Sequence, residues 1–464
     1  MNENLSETNQ SKLKTALYGF GNFFNEFFTM TFGSFAFFFY ETEIGLNVWL
    51  TGSAFVIFAL WNAVNDPLVG YLTNKPFKFT KKWGRRFPWI LIGGIPYVAS
   101  YILIFTPPTT DATVGALPLF IWLIFTTCLY DFFASIYWVN FSSLFPDKFR
   151  TVDERRTASG LQIPIGIFGV ALGAIIPPLI IKDNNLQSYV IAAFVVFLIG
   201  LSALLLSIPG IREDQKTIER YLKRLEAKEK RPPFIESFKY IITQRAFIAF
   251  VIIYTLYQAV ISLMTASIPY AVIYLLEMPI SASTLIFAGF LIGALISIPI
   301  WIKFVKKSDS NKLVLFVAAI LLGIFTSPML FIRDYILMII AMIFWGISLG
   351  GFWVMIAPTL ADVIDNSVVK TGRREEGIIT GLQRFFARIA IVIQALSFAI
   401  AHSLTGFVEG SDVQTELAKW GIHIHLALIP IICIFIGAFI FWIFYNLTPD
   451  KVKENQKKIA ERGL

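Results

Sequence analysis

Asn62, Asn65 and Asp66 stand at i, i+3 and i+4 in an otherwise apolar run, a spacing that places three side chains on one face of a helix. Pro67 follows directly and frees a backbone carbonyl of the preceding turn. Amide oxygens beside a carboxylate form a hard-oxygen set that suits a small monovalent cation or a proton. An ionised carboxylate in an apolar run is expensive unless paired, so Asp66 is a functional candidate; the plainer reading is an inner gate lock with loop arginines. A second apolar run carries Gln383, Arg384 and Arg388. A guanidinium keeps its charge, so Arg388 must face an anion, and Asp66, Glu26 and Asp131 are the available ones. The alternative for both arginines is a place near the inner interface, snorkelling to lipid phosphates.

These groups are positioned by a chain of 464 residues that is 56% hydrophobic, 16% aromatic and 15% charged. Soluble domains run at about 45–50% apolar and about 25% charged, so lipid is the better solvent for this one. A bilayer core about 30 Å thick needs roughly 20 apolar residues per helical span. Twelve stretches qualify, near 15–40, 46–73, 88–106, 116–144, 158–181, 188–208, 246–275, 281–302, 312–332, 335–361, 377–405 and 422–446. The expected fold class is an all-α membrane protein of twelve transmembrane helices in two six-helix halves, residues 1–210 and 246–464. Residues 211–245 form the linker between them, and Ile218, Tyr221, Leu222 and Leu225 mark a surface helix over 215–230. Met1 to Lys14 is polar and the run that follows is too long and aromatic for a cleaved leader, so the first span is expected to be retained.

Charge sets the expected orientation. All but five of the 39 Lys and Arg fall in segments on the side of the N-terminus, the linker and the C-terminus. The opposite loops hold Lys182, Arg333 and Lys419, and Arg384 and Arg388 lie in the eleventh span. Positive charge marks the cytoplasmic side, so both termini are expected inside a cell membrane crossed many times. The formal net charge of +8 then reflects that bias toward anionic lipid, and nucleic acid is not an expected partner.

Two longer blocks carry a specific resemblance. One is Trp61-Asn62-Ala63-Val64-Asn65-Asp66-Pro67-Leu68-Val69-Gly70 with Lys82-Trp83-Gly84-Arg85-Arg86-Phe87-Pro88-Trp89-Ile90 after it; the other is Ala361-Asp362-Val363-Ile364-Asp365-Asn366 with Thr371-Gly372-Arg373-Arg374-Glu375-Glu376-Gly377. Together with Tyr18-Gly19-Phe20-Gly21 leading to Glu26, these resemble the glycoside–pentoside–hexuronide cation symporters of the major facilitator superfamily over essentially the whole chain. More distantly the chain is similar to the vertebrate lysolipid symporters, through its Asn65-Asp66-Pro67-Leu68-Val69-Gly70 block.

The resemblance implies two helix bundles with a mid-membrane site between them. It places a cation-coupling site on Asn62, Asn65 and Asp66, with Asn62 where the family has a second acid, so one carboxylate is lost. A lone buried Asp favours a proton or a weaker cation site, and Na⁺ at Asp66 is the only metal expected. The family's sugar-binding acid falls on Glu26, with Asn22 and Thr29 on the same face; its second sugar acid falls on Trp138, its intramembrane lysine on Arg388, with Gln383 nearby. Substrate contact is thus expected from Asn22, Glu26, Trp138, Gln383 and Arg388. Gating is expected from Arg85, Arg86, Asp362, Asp365, Arg373 and Arg374, the last four in a loop after the tenth span.

The expected function is secondary active symport of a sugar or glycoside with H⁺ or Na⁺, by a monomer without an organic cofactor. The alternative is a lysolipid or other amphiphile symporter; a membrane enzyme or receptor would need a reactive constellation or a large extramembrane domain. No nucleotide-binding loop or nucleophile elbow is present in the sequence, so energy must come from a gradient or from the substrate's own concentration difference. His402, His423 and His425 lie near the outer ends of the last two spans without Cys or Glu at metal-ligand spacing and read as structural or interfacial. Cys128 and Cys433 lie inside spans and read as small buried hydrophobes.

Overall fold

A computed structural model describes residues 11–73, 77–149, 152–226, 239–372 and 376–462. Helix α1 (Lys12–Phe38) runs into a π turn (Phe39–Glu43) and is followed by α2 (Val48–Thr73), α3 (Thr80–Trp83), α4 (Phe87–Ile104), α5 (Ala112–Lys148), α6 (Val152–Ile180), α7 (Leu186–Ile211) and α8 (Gln215–Glu226). The second series is α9 (Arg245–Tyr270), α10 (Ser283–Ser308), α11 (Asn311–Thr326), α12 (Tyr335–Thr371), α13 (Glu376–Ala387), α14 (Ile389–Thr405), α15 (Glu416–His423), α16 (Ile429–Phe444) and α17 (Pro449–Arg462). Further π turns, Ala271–Leu275 and Ile424–Leu428, extend α9 and join α15 to α16. Among the described residues every regular element is helical, as the composition predicts.

Among the described residues, eleven helices are long and apolar enough to cross a membrane. Helix α1, the remaining expected span, is not among them, because Asn22, Asn25 and Glu26 dilute its apolar content. It nevertheless lies in the bundle, packed along α6 and α7. The close approach to α6 is made through glycine: a Cβ at Gly169 would sit 2.5 Å from the Phe23 carbonyl oxygen, and one at Gly173 2.7 Å from that of Phe27. Small residues at such contacts let backbones meet where lipid supplies no hydrophobic drive between helices.

Helices α1–α7 pack mainly among themselves, as do α9–α16; α2 against α14, α1 against α9 and α6 against α10 join the two series. The bundle has two ends, the linker end bearing residues 212–226 and 239–244 and the far end opposite. At the far end the series are tied by hydrogen bonds: Tyr270 donates to Glu41, the Ile280 amide to Asp183 Oδ1 (3.0 Å), and the Val48 amide to Glu409 Oε1 (2.9 Å).

One expectation changes. The segment Asp362 to Asn366 is not loop but the last turns of α12, because no breaker occurs before Gly372, which ends the helix at φ +68°. The described part of the linker helix, α8, packs on α3: Ile218 is buried and the Arg85 guanidinium lies 4.5 Å over the Tyr221 ring.

The turn into α4 also depends on glycine. Gly84 has φ +90°, and a Cβ there would fall 2.2 Å from Glu213 Oε2. That carboxylate accepts from the amides of Arg86 (2.7 Å) and Phe87 (3.0 Å), capping the positive end of α4. Gly84→Ala is expected to cost about 1–3 kcal/mol and to lower the Tm of the detergent-purified protein. Gly160→Ala, at a helical site where no described atom outside the local helix backbone lies within 4 Å of the new Cβ, is expected to leave Tm unchanged or higher. Equal melting of Gly84→Ala and the wild type would show that the turn does not need this conformation.

Candidate functional site

Helix α2 presents Asp66 toward the second series, where Arg388 Nη2 lies 3.1 Å from its Oδ2. Arg388 can reach inward because it sits at the break between α13 and α14, where the eleventh expected span is interrupted. Asp66 Oδ1 accepts from Ser135 on α5 at 2.5 Å. One turn earlier on α5, Asp131 is buried, and its carboxylate accepts from the Asn62 amide and from Asn65 Nδ2 (3.1 Å).

This arrangement corrects the reading of a lone acid. A second carboxylate is present, supplied by α5 where Asn62 stands in place of an acid on α2. Asn62 and Asn65 spend their N–H groups on Asp131, and both amide oxygens are buried without a partner among the described residues. Buried acceptors are ordinarily satisfied, so two orphaned oxygens beside two carboxylates and a hydroxyl make an unfinished hard-oxygen set. With both acids ionised and Arg388 charged, the group carries a net charge of about −1, which fits one monovalent cation or one proton.

The substrate-side residues divide. Glu26 is half-buried and its Oε1 accepts from Asn25 at 3.3 Å, leaving lone pairs for another donor. Asn22 points the other way: its amide donates to the Gln162 carbonyl (3.4 Å) and fills the space over Gly166, so the structure commits it to the contact with α6. Thr29 is exposed and bonds back to the Asn25 carbonyl. Trp138 is half-buried with the Arg384 guanidinium 5.4 Å from its ring centroid, an arrangement worth roughly 0.5–2 kcal/mol as a cation–π contact. Arg384 therefore lies on Trp138 and does not only reach for lipid. Gln383 is buried one residue before Arg384.

The expected gating residues lie at the linker end. Arg85 pairs with Asp147 at 2.8 Å, and Arg86 donates to Asn140 Oδ1 at 3.0 Å, so these contacts join α4 to α5 within one series. Burial pulls the Arg86 guanidinium down to about 10, with neighbouring Arg85 acting in the same sense, and it stays charged at neutral pH. On α12, Asp362 accepts from Asn311 Nδ2 at 2.8 Å, and Asp365 follows one turn further. Arg373 and Arg374 lie outside the described residues.

Sequence reasoning missed Asp131 as a partner of the Asn62 face, together with Ser135, Asp147 and Glu213. Asp131 and Ser135 at i, i+4 were a readable signal, one polar stripe in a long apolar helix. It also missed Glu41, which no motif marks and whose contacts are described below.

Residues 17–449 match the family described as MFS/sugar transport protein. The chain belongs to this family. Its members are transport proteins and not enzymes, and the motif resemblance drawn from the sequence holds over both series of helices. Among relatives, the chain is similar to the sodium-dependent lysophosphatidylcholine symporter 1-A of Danio rerio, 22% identical, with 86% of this chain and 79% of that one covered. It is similar to an uncharacterized symporter of Bacillus subtilis, 25% identical, over 94% and 92%. In fold it is similar to the nucleoside transporter NupG, with a TM-score of 0.65, 12% identity, and 94% of this chain and 100% of that one covered.

Proposed function

We propose that this MFS/sugar transport protein is a cation-coupled symporter working by alternating access in the cytoplasmic membrane, with its linker end inside. The observation that carries the reading is the oxygen set of Asn62, Asn65, Asp66, Asp131 and Ser135 set against Arg388. In the cation-free site Arg388 neutralises Asp66. A cation or proton entering between Asp66 and Asp131 competes with that bridge and loosens Arg388 toward the substrate side. Occupancy of one ligand thereby alters the other's site, which is the coupling free energy that symport requires. The helices before and after the linker act as two halves rocking about this point, and the tied far end corresponds to a state closed to the outside. The distribution of Lys and Arg supports that orientation.

The transported solute in this reading is a sugar or glycoside, with Glu26 accepting hydroxyl donors and Trp138, Gln383 and Arg388 bounding the site. The family description supports it. A second reading, an amphiphile with an anionic headgroup such as a lysolipid, is favoured by Arg384: among the described residues it makes no salt bridge and is held by a ring face instead. The name of the Danio rerio relative agrees with that alternative.

A thermal-shift matrix separates them, using sugars, glycosides and lysolipids, each with and without Na⁺ and at two pH values. A ligand bound only by the native state stabilises it by about 2.7 kcal/mol at a hundredfold excess over Kd. A glycoside shift that grows with Na⁺ or acid is the expected result and names the ion. A shift from lysolipids alone replaces the sugar reading by the second, and a panel without any cation-dependent shift removes cation coupling.

A further inference from the structure

At the far end, remote from Asp66 in sequence and place, five buried polar side chains form one chain of hydrogen bonds. Glu41, in the π turn after α1, accepts from the Tyr270 hydroxyl of α9, and its other oxygen lies 2.6 Å from His402 Nδ1 of α14. His402 Nε2 meets His425 Nε2 at 3.0 Å, and His425 Nδ1 meets Ser267 Oγ at 2.6 Å. Glu41, Ser267, Tyr270 and His425 are each 0% exposed and His402 1%, so no water completes the arrangement from outside.

Counting protons along this chain shows what it can hold. With Glu41 ionised and both imidazoles neutral, His402 donates from Nδ1 to Glu41, His425 donates from Nε2 to His402, and Ser267 donates to His425 Nδ1. Adding one proton to His402 reverses the later links: His402 donates to both Glu41 and His425, and His425 donates to Ser267 Oγ. Every bond survives in both states, and the protonated one pairs an imidazolium with an otherwise uncompensated buried carboxylate. The rings are also set for a cation: Phe407 stacks on His402 with centroids 4.1 Å apart at 13°, and Phe398 on His425 at 4.0 Å and 22°.

Other titratable groups beside the chain are Tyr274, one turn after Tyr270, Glu43, two residues after Glu41, and His423, two residues before His425 and held by the Met329 carbonyl at 2.9 Å. Thr42, Glu43 and Tyr274, close to Glu41 and Tyr270 in the chain, line a far-end cavity of about 590 Å³. Asp183, Glu277 and Asp412 line it too, against the one cation Lys419, so its mouth is predominantly negative and favours protons nearby.

We infer that Glu41, His402 and His425 form a proton-binding site in the outer gate, occupied when that gate is closed. Glu41 belongs to the first series of helices and the histidines to the second, so opening the far end separates the carboxylate from the imidazole and breaks the pair. The proton is therefore a ligand of the closed state. Closure is favoured at low pH and weakens as pH rises, by up to about tenfold in the closed-to-open ratio per pH unit for one proton. This site is separate from the Asp66 group, and its behaviour does not depend on which solute is carried.

The test uses the full-length protein in lipid nanodiscs with spin labels at T110C and F331C, in a background carrying C128S and C433S. Distances between these two exposed far-end loops are measured from pH 5 to pH 9. The expected result is a closed population that falls with rising pH in the wild-type gate, and a flat profile in His402→Gln and Glu41→Gln, which keep a neutral hydrogen bond. A pH-independent wild-type gate, a closed population that grows with pH, or a pH dependence left intact in both His402→Gln and His425→Gln would overturn the site. The wild-type titration stands even where a variant fails to fold.

Discussion

Asp131→Asn is expected to weaken cation stabilisation of the protein about tenfold to a hundredfold, the loss that follows when a charge-assisted contact of about 1.5–3 kcal/mol is removed. The substitution keeps shape and leaves α5 able to bond Asn62 and Asn65, so the fold is expected to persist. What changes is charge. With Asp131 neutral, Arg388 balances Asp66 alone and the group falls from a net charge of about −1 to about 0, which removes the attraction for a monovalent ion. The measurement is the midpoint of a Na⁺ titration, or of a pH titration where H⁺ is the ion, read from Tm. Asp66→Asn is expected to behave alike. An unmoved midpoint in Asp131→Asn would exclude it as a ligand and return the site to Asp66 and its two asparagines.

Arg388→Ala is expected to act in the opposite sense on the ion while damaging the protein. Removing one partner of a buried ion pair costs about 3–5 kcal/mol, but Arg388 and Asp66 side chains are 33% and 24% exposed, so solvent screening brings the cost toward about 1–3 kcal/mol. The two carboxylates are then left with no fixed cation. Na⁺ becomes their counter-ion, so the variant is expected to melt lower than wild type in Na⁺-free buffer and to recover most of the difference as Na⁺ is added. Substrate-driven uptake into proteoliposomes is expected to fall at least about tenfold, because the bridge through which cation binding releases Arg388 to the substrate is gone. Arg388→Lys keeps the charge but not the planar fork, and is expected to restore low-salt stability in part. A loss of Tm that Na⁺ does not reverse would make Arg388 a packing residue only.

The face formed by Asn62, Asn65 and Asp66 was readable because helical spacing is local, and so was the need of Arg388 for an anion. Which anion it meets was not. Asp66, Glu26 and Asp131 were equal candidates until the break at Arg388 turned its guanidinium toward Asp66. Asn22 shared a face with Glu26 on paper, yet that face is divided between the site and α6, and Gly166 left a space that the Asn22 amide fills. The histidines were dismissed for want of an acid at ligand spacing, while the acid that meets His402 comes from a turn 361 positions away.

Where the chain leaves water was therefore decided by the sequence itself. The preference of some twenty consecutive residues for hydrocarbon is a sum over those residues and needs no knowledge of neighbours. Which buried charges and imidazoles meet was decided only by the tertiary structure. That outcome depends on how far each helix is rotated, where it breaks and which helix lies beside it, and packing settles those three things across the whole bundle.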